Sequence, residues 1–299
     1  MIVISIAFVS FILTINYSNI VDAKTDPVPL YKRQNNTNPN IIFDGEGILY
    51  FNYSYINGSY AGLQRNPVMI SSLALDYYHD YIQHKDLNSL IYFVNSANWL
   101  VNNARSHYTA DNKEYFVLEY KFPYMQYNLS SPWYSALAQG LALPVLCHAY
   151  EITNDTRYAI SAKLILNALY VEVKDEGVTY KMPNDLGWWY EEYASPTGKH
   201  PRVLNGMIYT LEGINEYYRC SNNKDAKFLF DQGINALRNN LAKYDNDGYS
   251  FYDIFGRLAG PKYHKMHIAA LERLYDITGE SIFKEYSEKW KAYNGPFPY

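Results

Sequence analysis

Trp188-Trp189-Tyr190-Glu191-Glu192-Tyr193 interleaves two carboxylates with aromatic rings, and Asn205-Gly206 follows at the head of a predicted helix. Sugars are bound by that combination: ring faces cover the C–H side of a pyranose, and carboxylates accept from hydroxyls and carry protons. As a short strand or extended loop, the segment turns Tyr190 and Glu192 to one side and Glu191 and Tyr193 to the other. Taken alone, it also reads as an aromatic edge strand with two solvated glutamates. Two further junctions carry polar groups. In Ser131-Pro132-Trp133-Tyr134-Ser135-Ala136-Leu137-Ala138-Gln139-Gly140, Pro132 suits the first turn of a helix and Gln139 interrupts an apolar face. In the other, Phe251-Tyr252-Asp253 leads through Arg257 to Tyr263-His264-Lys265-Met266-His267-Ile268, with His264 and His267 on one helix face. Those histidines resemble half a metal site, but no third ligand stands at suitable spacing, so no metal is assigned. Arg257 has two readings, a cation in the site or a partner of Asp253 on a solvated loop.

The elements that must position these residues are mostly helical. The periodicity turns helical from Pro67, where Val68, Leu73, Leu75 and Tyr78 lead into a second helix through Leu90, Phe93 and Leu100. Further helices are predicted over Trp133–Ile152, Arg157–Tyr170, Leu204–Tyr218, Ala226–Leu241, His264–Ile277 and Ile282–Tyr293. These make four pairs, and two pairs share a signature: Ala149-Tyr150-Glu151-Ile152-Thr153 and Leu274-Tyr275-Asp276-Ile277-Thr278 each close a first helix. Repeated αα-hairpins bury their apolar faces by stacking, which predicts a mainly α, incomplete α/α toroid of about four hairpins. Ile41 to Tyr60 alternates around Asn57-Gly58 and predicts a β-hairpin ahead of the helices, within a segment 41–64. Three Tyr-rich connections, Tyr108–Leu129, Val178–Arg202 and Asp245–Lys262, are longer than helical hairpins need. In a stacked array they emerge at one end, bringing Tyr193, Tyr252 and Tyr263 to one mouth.

The three junctions together resemble the C-terminal catalytic region of the D-glucuronyl C5-epimerase family. The matching words are Ser-Pro-Trp-Tyr-Ser-Ala-Leu-Ala-Gln-Gly, Trp-Tyr-Glu-Glu-Tyr with Val-Leu-Asn-Gly, and Tyr-Asp followed by Tyr-His-x-x-His-Ile. Their order and approximate separations hold across about residues 65 to 295. The resemblance implies an incomplete α/α toroid beside β-structure, catalytic residues at Glu192, Tyr193, Tyr252 and Tyr263, and conversion of glucuronate to iduronate units in a heparosan-type polymer. The longer N-terminal region of the vertebrate enzymes has no counterpart here. The family's arginine follows its Tyr-Asp pair almost immediately, whereas Ile254-Phe255 fill that slot here and Arg257 is the nearest candidate.

The reaction explains the residue types. The C5 proton of a uronate is only weakly acidic, so the adjacent carboxylate must be neutralised before deprotonation. Arg257, His264, His267 and tyrosine hydroxyls are the candidate donors, with Asn205, Trp189, Tyr134 and Gln139 as further substrate-binding residues. Inversion needs a base on each ring face, for which Glu192 and Tyr263 are the expected pair, Glu191 being structural. No cofactor is required. Rival readings are a polysaccharide lyase, which begins with the same deprotonation, a hydrolase using Glu192 with Asp253, and a non-catalytic glycan-binding envelope protein.

The whole chain sets bounds. At 299 residues, it can bury a large core, and 33 tyrosines suit clefts for hydroxylated ligands. A net charge of −4 without a basic run argues against nucleic acid, and a polyanionic substrate would need a local basic cleft. The uronic-acid-containing polysaccharide is the partner the family resemblance implies, and a homodimer is left open. The apolar run Met1 to Ile15, followed by Val21-Asp22-Ala23, predicts an export signal, or else an anchor, over residues 1–23, although its first cation is Lys24. Residues 24–40 are read as a linker, and 65–299 as the toroid domain. Sequons at Asn35, Asn52, Asn57, Asn128 and Asn154 fit an exported protein. Cys147 suits a core position, and pairing with Cys220 is left open.

Overall fold

The computed structural model describes residues 39–56 and 58–293. The expected signal or anchor, nearly all of the linker, and the sequons at Asn35 and Asn57 lie outside the described residues. Strand β1 (Ile41–Phe43) pairs antiparallel with β2 (Leu49–Asn52), which pairs with β5 (Leu63–Gln64). A separate small hairpin, β3 (Tyr55–Ile56) with β4 (Ser59–Tyr60), stands between β2 and β5 in the chain. The expected single hairpin is thus a three-stranded sheet with a hairpin inserted.

Among the described residues eight α-helices follow: α1 (Pro67–His84), α2 (Leu87–Asn103), α3 (Ala136–Thr153), α4 (Thr156–Ala168), α5 (Leu204–Ser221), α6 (Lys224–Asn240), α7 (Pro261–Thr278) and α8 (Ser281–Lys291). Helices α1, α3, α5 and α7 pack in series as an inner arc, and each carries its successor on the outside. The sequence explains the division. Helix α3 is apolar nearly all round, as an element enclosed on every side must be, whereas α8 buries only the stripe Phe283, Ser287 and Trp290. Val68, Leu137, Leu141, Tyr209 and Met266, drawn from all four inner helices, form one apolar cluster between them. This is the open α/α toroid that the periodicity predicts.

One turn is used four times. Lys85, Asn154, Asn222 and Gly279 end the inner helices in the left-handed region, at φ 56, 58, 52 and 71. Each is followed by one extended N-cap residue, Asp86, Asp155, Asn223 or Glu280. The Asp and Asn caps accept backbone N–H groups of the next helix. The repeated threonines serve this turn: Thr153 donates to Ala149 O at 2.6 Å and Thr278 to Leu274 O at 2.7 Å. Both then accept the N-cap N–H at 3.2 Å.

Helices α3 and α5 touch through glycine. A Cβ on Gly213 would lie 2.2 Å from Gly140 O, and one on Gly140 would lie 2.9 Å from Thr210 Cα. Cys147 and Cys220 join the same two helices as a disulfide, with a Cα–Cα distance of 6.4 Å.

Candidate active site

The long connections end where α3, α5 and α7 begin, so they gather at one end of the arc. They carry β6 (Arg105–Tyr108), β7 (Glu114–Val117), β8 (Glu119–Tyr120), β9 (Trp133–Tyr134), β10 (Thr179–Lys181) and β11 (Trp188–Tyr190). Backbone hydrogen bonds lace them together. Tyr134 and Ala194 exchange a pair at 2.9 Å, Lys199 N donates to Tyr127 O at 2.9 Å, and Ile254 N donates to Pro201 O at 2.9 Å. Leu204 N, at the start of α5, donates to Tyr252 O at 3.0 Å. Residues more than a hundred positions apart are thereby held at one mouth.

The centre of this mouth is Tyr193. Its ring stacks on Tyr124 at 5.1 Å and lies 4.9 Å from Tyr127 and 5.6 Å from Trp133. Its hydroxyl is coupled to that of Tyr252, whose ring meets Tyr263 edge-on at 4.9 Å. Tyr263 is 38% exposed and forms the rim. Beside Tyr193, Glu192 packs onto the start of α5, where a Cβ on Gly206 would fall 2.4 Å from Glu192 Oε2. Glycine at 206 is a steric requirement of this carboxylate's position. Burial pushes the Glu192 carboxyl up to about 7, against the opposing pull of the Tyr193 hydroxyl and Arg257. Burial also lifts Tyr193 and Tyr252 well above the ordinary tyrosine value, with the Glu192 charge adding to both. A half-buried carboxylate poised near neutrality thus lies among neutral hydroxyls that can donate protons.

Arg257 reaches this cluster through a latch. Its guanidinium lies 4.2 Å over the Tyr252 ring. Its Nε is 3.3 Å from Asp253 Oδ2, and Nη2 donates to the Tyr127 hydroxyl. That hydroxyl donates in turn to Asp253 Oδ2 at 2.7 Å. Asp253 Oδ1 accepts the backbone N–H groups of Phe255 and Arg257, so this buried carboxylate has its donors on all sides. Arg257 is both paired with Asp253 and aimed at the site, which joins its two sequence readings.

Other expected residues fall elsewhere. The extended alternation stops at Tyr190, so Glu192 and Tyr193 serve the same mouth instead of opposite faces. Glu191 is fully buried, accepts Arg202 N at 3.0 Å, and has its carboxyl raised to about 8 by burial. Trp189 is also fully buried and stacks on Tyr244 at 5.5 Å, as a core residue. Trp133 and Tyr134 form a strand where a helix start is expected; Ser135 is the N-cap, and Pro132 precedes the strand. Strand alternation gives Trp133 to Tyr193 and turns Tyr134 towards His107, at 5.7 Å. Gln139 is buried and two residues from both Leu137 and Leu141, so it points away from the inner cluster those leucines join.

Asn205 does stand beside the site, with its Oδ1 buried and without a hydrogen bond among the described residues. His264 is tied into the fold instead. Its Nδ1 accepts Ser250 N at 3.0 Å, and its Nε2 donates to Trp290 O at 3.2 Å. His267 Nδ1 shares the Ser250 hydroxyl at 2.8 Å, and burial with the His264 neighbour pushes His267 down to about 3. Both histidines are therefore neutral, and the cationic donor among the expected residues is Arg257. Tyr124 and Tyr127 complete the site without having been expected there, and Asp253, weighed as a hydrolase carboxylate, enters as the partner of Tyr127 and Arg257. Tyr124 and Tyr127 stood three apart in a connection already notable for tyrosine, but no local word set them apart.

The fold and the mouth define an open α/α toroid whose loops converge on a tyrosine–carboxylate site. Residues 110–292 match the family described as D-glucuronyl C5-epimerase C-terminus, well over half of the chain, and the chain belongs to that family. It is 32% identical over 253 residues to an uncharacterised protein of Methanocaldococcus jannaschii, covering 80% of each. It is 27% identical over 221 residues to the D-glucuronyl C5-epimerase of Caenorhabditis elegans, covering 67% of this chain and 34% of that enzyme. The chain thus spans about a third of the nematode protein. Among solved structures, a D-mannose isomerase matches with a TM-score of 0.53 at 10% identity, covering 97% of this chain and 68% of that one. A GH76 α-mannanase from Bacteroides thetaiotaomicron matches at 0.50 and 12%, covering 85% and 62%. These structural likenesses concern the fold, while the family membership supports a carbohydrate-modifying function.

Proposed function

We propose that this protein is a C5-epimerase that interconverts D-glucuronic and L-iduronic acid residues within a polysaccharide. The observation that carries the reading is the Glu192 carboxyl, held near 7 beside Tyr193 and Tyr252 with Arg257 over the Tyr252 ring. Arg257 neutralises the uronate carboxylate. Glu192 then takes the C5 proton, and the electron pair of the broken C–H bond moves into that carboxylate. Tyr263 delivers its hydroxyl proton to C5 from the other ring face. The protonated Glu192 and the Tyr263 oxyanion are reset by proton exchange with solvent, and no cofactor enters. The expected setting is outside the cytoplasm, where the N-terminal apolar run would deliver it.

The hydrolase reading loses its second carboxylate, since Asp253 is engaged by the Tyr127 hydroxyl, Arg257 and two backbone N–H groups. The test is incubation with glucuronate polymers in deuterated water, followed by NMR at C5. Deuterium at C5 together with iduronate signals is expected. An unsaturated product would make the protein a lyase. Binding without exchange would make it a glycan-binding protein, and neither binding nor exchange would remove uronates as the substrate class.

A further inference from the structure

At the opposite end of the inner arc from the mouth, α3 and α5 bring together a second set of reactive side chains. His148 lies roughly 18 Å along α3 from its first residue, at 1.5 Å per residue. Its Nδ1 is 2.9 Å from Glu151 Oε2 and 4.0 Å from Cys220 Sγ, and the three ligand atoms lie within 4.8 Å of one another. Its Nε2 is 3.0 Å from Glu216 Oε1. The Tyr78 ring stacks on the imidazole at 4.2 Å and 7°, which fixes the plane of the ring. Nothing in the proposed sugar chemistry uses these groups.

We infer that this cluster is a latent divalent-metal site, suited to zinc, which the Cys147–Cys220 disulfide keeps closed. Thiolate, imidazole and carboxylate from two helices are a zinc donor set, with water as the fourth ligand. Zinc bonds of about 2.0 to 2.3 Å leave tetrahedral ligand atoms about 3.5 Å apart, between the two separations seen at His148 Nδ1. Glu216 on the far ring nitrogen stands where an outer carboxylate orients a metal-bound histidine. Glu151, half-exposed, gives the ion a path from solvent.

Opening the site needs a dithiol. The dithiol gives two electrons and two protons to the S–S bond, forming the Cys147 and Cys220 thiols, and becomes a disulfide itself. Zinc then displaces the Cys220 thiol proton. The ion would tie α3 to α5 near the point where the disulfide ties them, so one cross-link replaces the other as the redox setting changes.

Cobalt is the probe, because thiolate ligation gives an ultraviolet sulfur-to-cobalt charge-transfer band. Oxidised wild-type protein is expected to show no such band, and dithiol-reduced wild-type to gain it with one ion per chain. Cys147→Ser frees Cys220 permanently and should show the band without reductant. Adding His148→Gln should abolish it, and adding Glu216→Gln should weaken cobalt binding by about tenfold. Circular dichroism checks the fold of each variant, and reduced wild-type protein answers the question if Cys147→Ser does not fold. Absence of the band from reduced wild-type protein overturns the inference. So does a band that survives His148→Gln, which would put the cation elsewhere.

Discussion

Glu192 and Glu191 are neighbours in sequence with opposite fates, and the difference decides how the protein should respond to pH. Glu191 is sealed behind the site, while Glu192 faces the tyrosines. In the proposed mechanism Glu192 acts as its carboxylate, so turnover should rise with pH through about 7, the value to which burial pushes it. Glu192→Gln should lower kcat by about 10²-fold to 10⁴-fold and remove that limb, checked by rate profiles on uronate polymer. Stability runs the other way. The folded pKa lies above the ordinary glutamate value of 4.5, so the folded state holds a proton that the unfolded chain loses between about 4.5 and 7. Stability should therefore fall as pH rises across that window, and Glu191, raised to about 8, and Glu212 of α5, raised by burial to about 7 against the pull of Arg273 at 2.9 Å, act with the same sign. Thermal melts across pH 5 to about 8 should decline less steeply in Glu192→Gln; an equal slope would place the effect in the other two. The Tyr127 latch makes a separate claim. Tyr127→Phe removes the hydroxyl shared by Asp253 and Arg257, and should weaken binding of carboxylated polymer about tenfold relative to its carboxyl-reduced form. Equal loss for both polymers would make Tyr127 a packing residue only. Glu192, Tyr193 and Tyr252 were legible because each lies in a compact local word. Tyr127 was not, because its meaning comes from Asp253 across 126 positions of chain.

Element boundaries failed where tertiary hydrogen bonds outweighed local preference. Trp133 and Tyr134 continue the apolar pattern of α3, yet β8 and Ala194 offer their backbones partners on both sides, and the pair becomes a strand. Hairpin ends were legible for a local reason. The Tyr-x-Ile-Thr signature marks threonines that bond four residues back and two forward, which the chain alone can satisfy. The α3–α5 contact was not legible as a contact, since its glycines lie in different hairpins. Gly213→Ala sets a methyl carbon against Gly140 O at 2.2 Å, and two backbones cannot yield as a flexible side chain can. A loss of about 1 to 3 kcal/mol is expected in denaturant unfolding. Gly248→Ala, with its nearest neighbour at 3.8 Å, is the control and should move stability by less than about 0.5 kcal/mol. Equal effects at the two positions would mean that α3 and α5 can separate freely.

At the scale of the molecule, four hairpins make an arc in place of a closed ring, and side chains do the closing. Val68 from the first inner helix and Met266 from the last pack against Leu137, Leu141 and Tyr209, all within the first two turns of the inner helices. Between the mouth and the disulfide end lie the packed core side chains Leu143, Leu146, Leu211 and Ile214 of α3 and α5. That separation was partly readable: long loops at one end of the helices predict the mouth, whereas the cysteine pairing needed the α3–α5 register. Cys147 and Cys220 are 73 residues apart, and closing a loop of that size restricts the unfolded chain by about 4 kcal/mol at 25 °C. Cys220→Ser should therefore lower unfolding free energy by up to about 4 kcal/mol in the absence of metal. The same change should leave C5 proton exchange per folded molecule within about twofold, because three turns of α3, roughly 16 Å, separate Cys147 from the helix start at the mouth. The two measurements are made on one preparation, by urea unfolding and by deuterium uptake at a temperature well below the melt. A large loss of exchange with the fold intact would show that strain at the disulfide end reaches Glu192 through α5. The packed pair α3 and α5 would then transmit motion between its ends instead of isolating them.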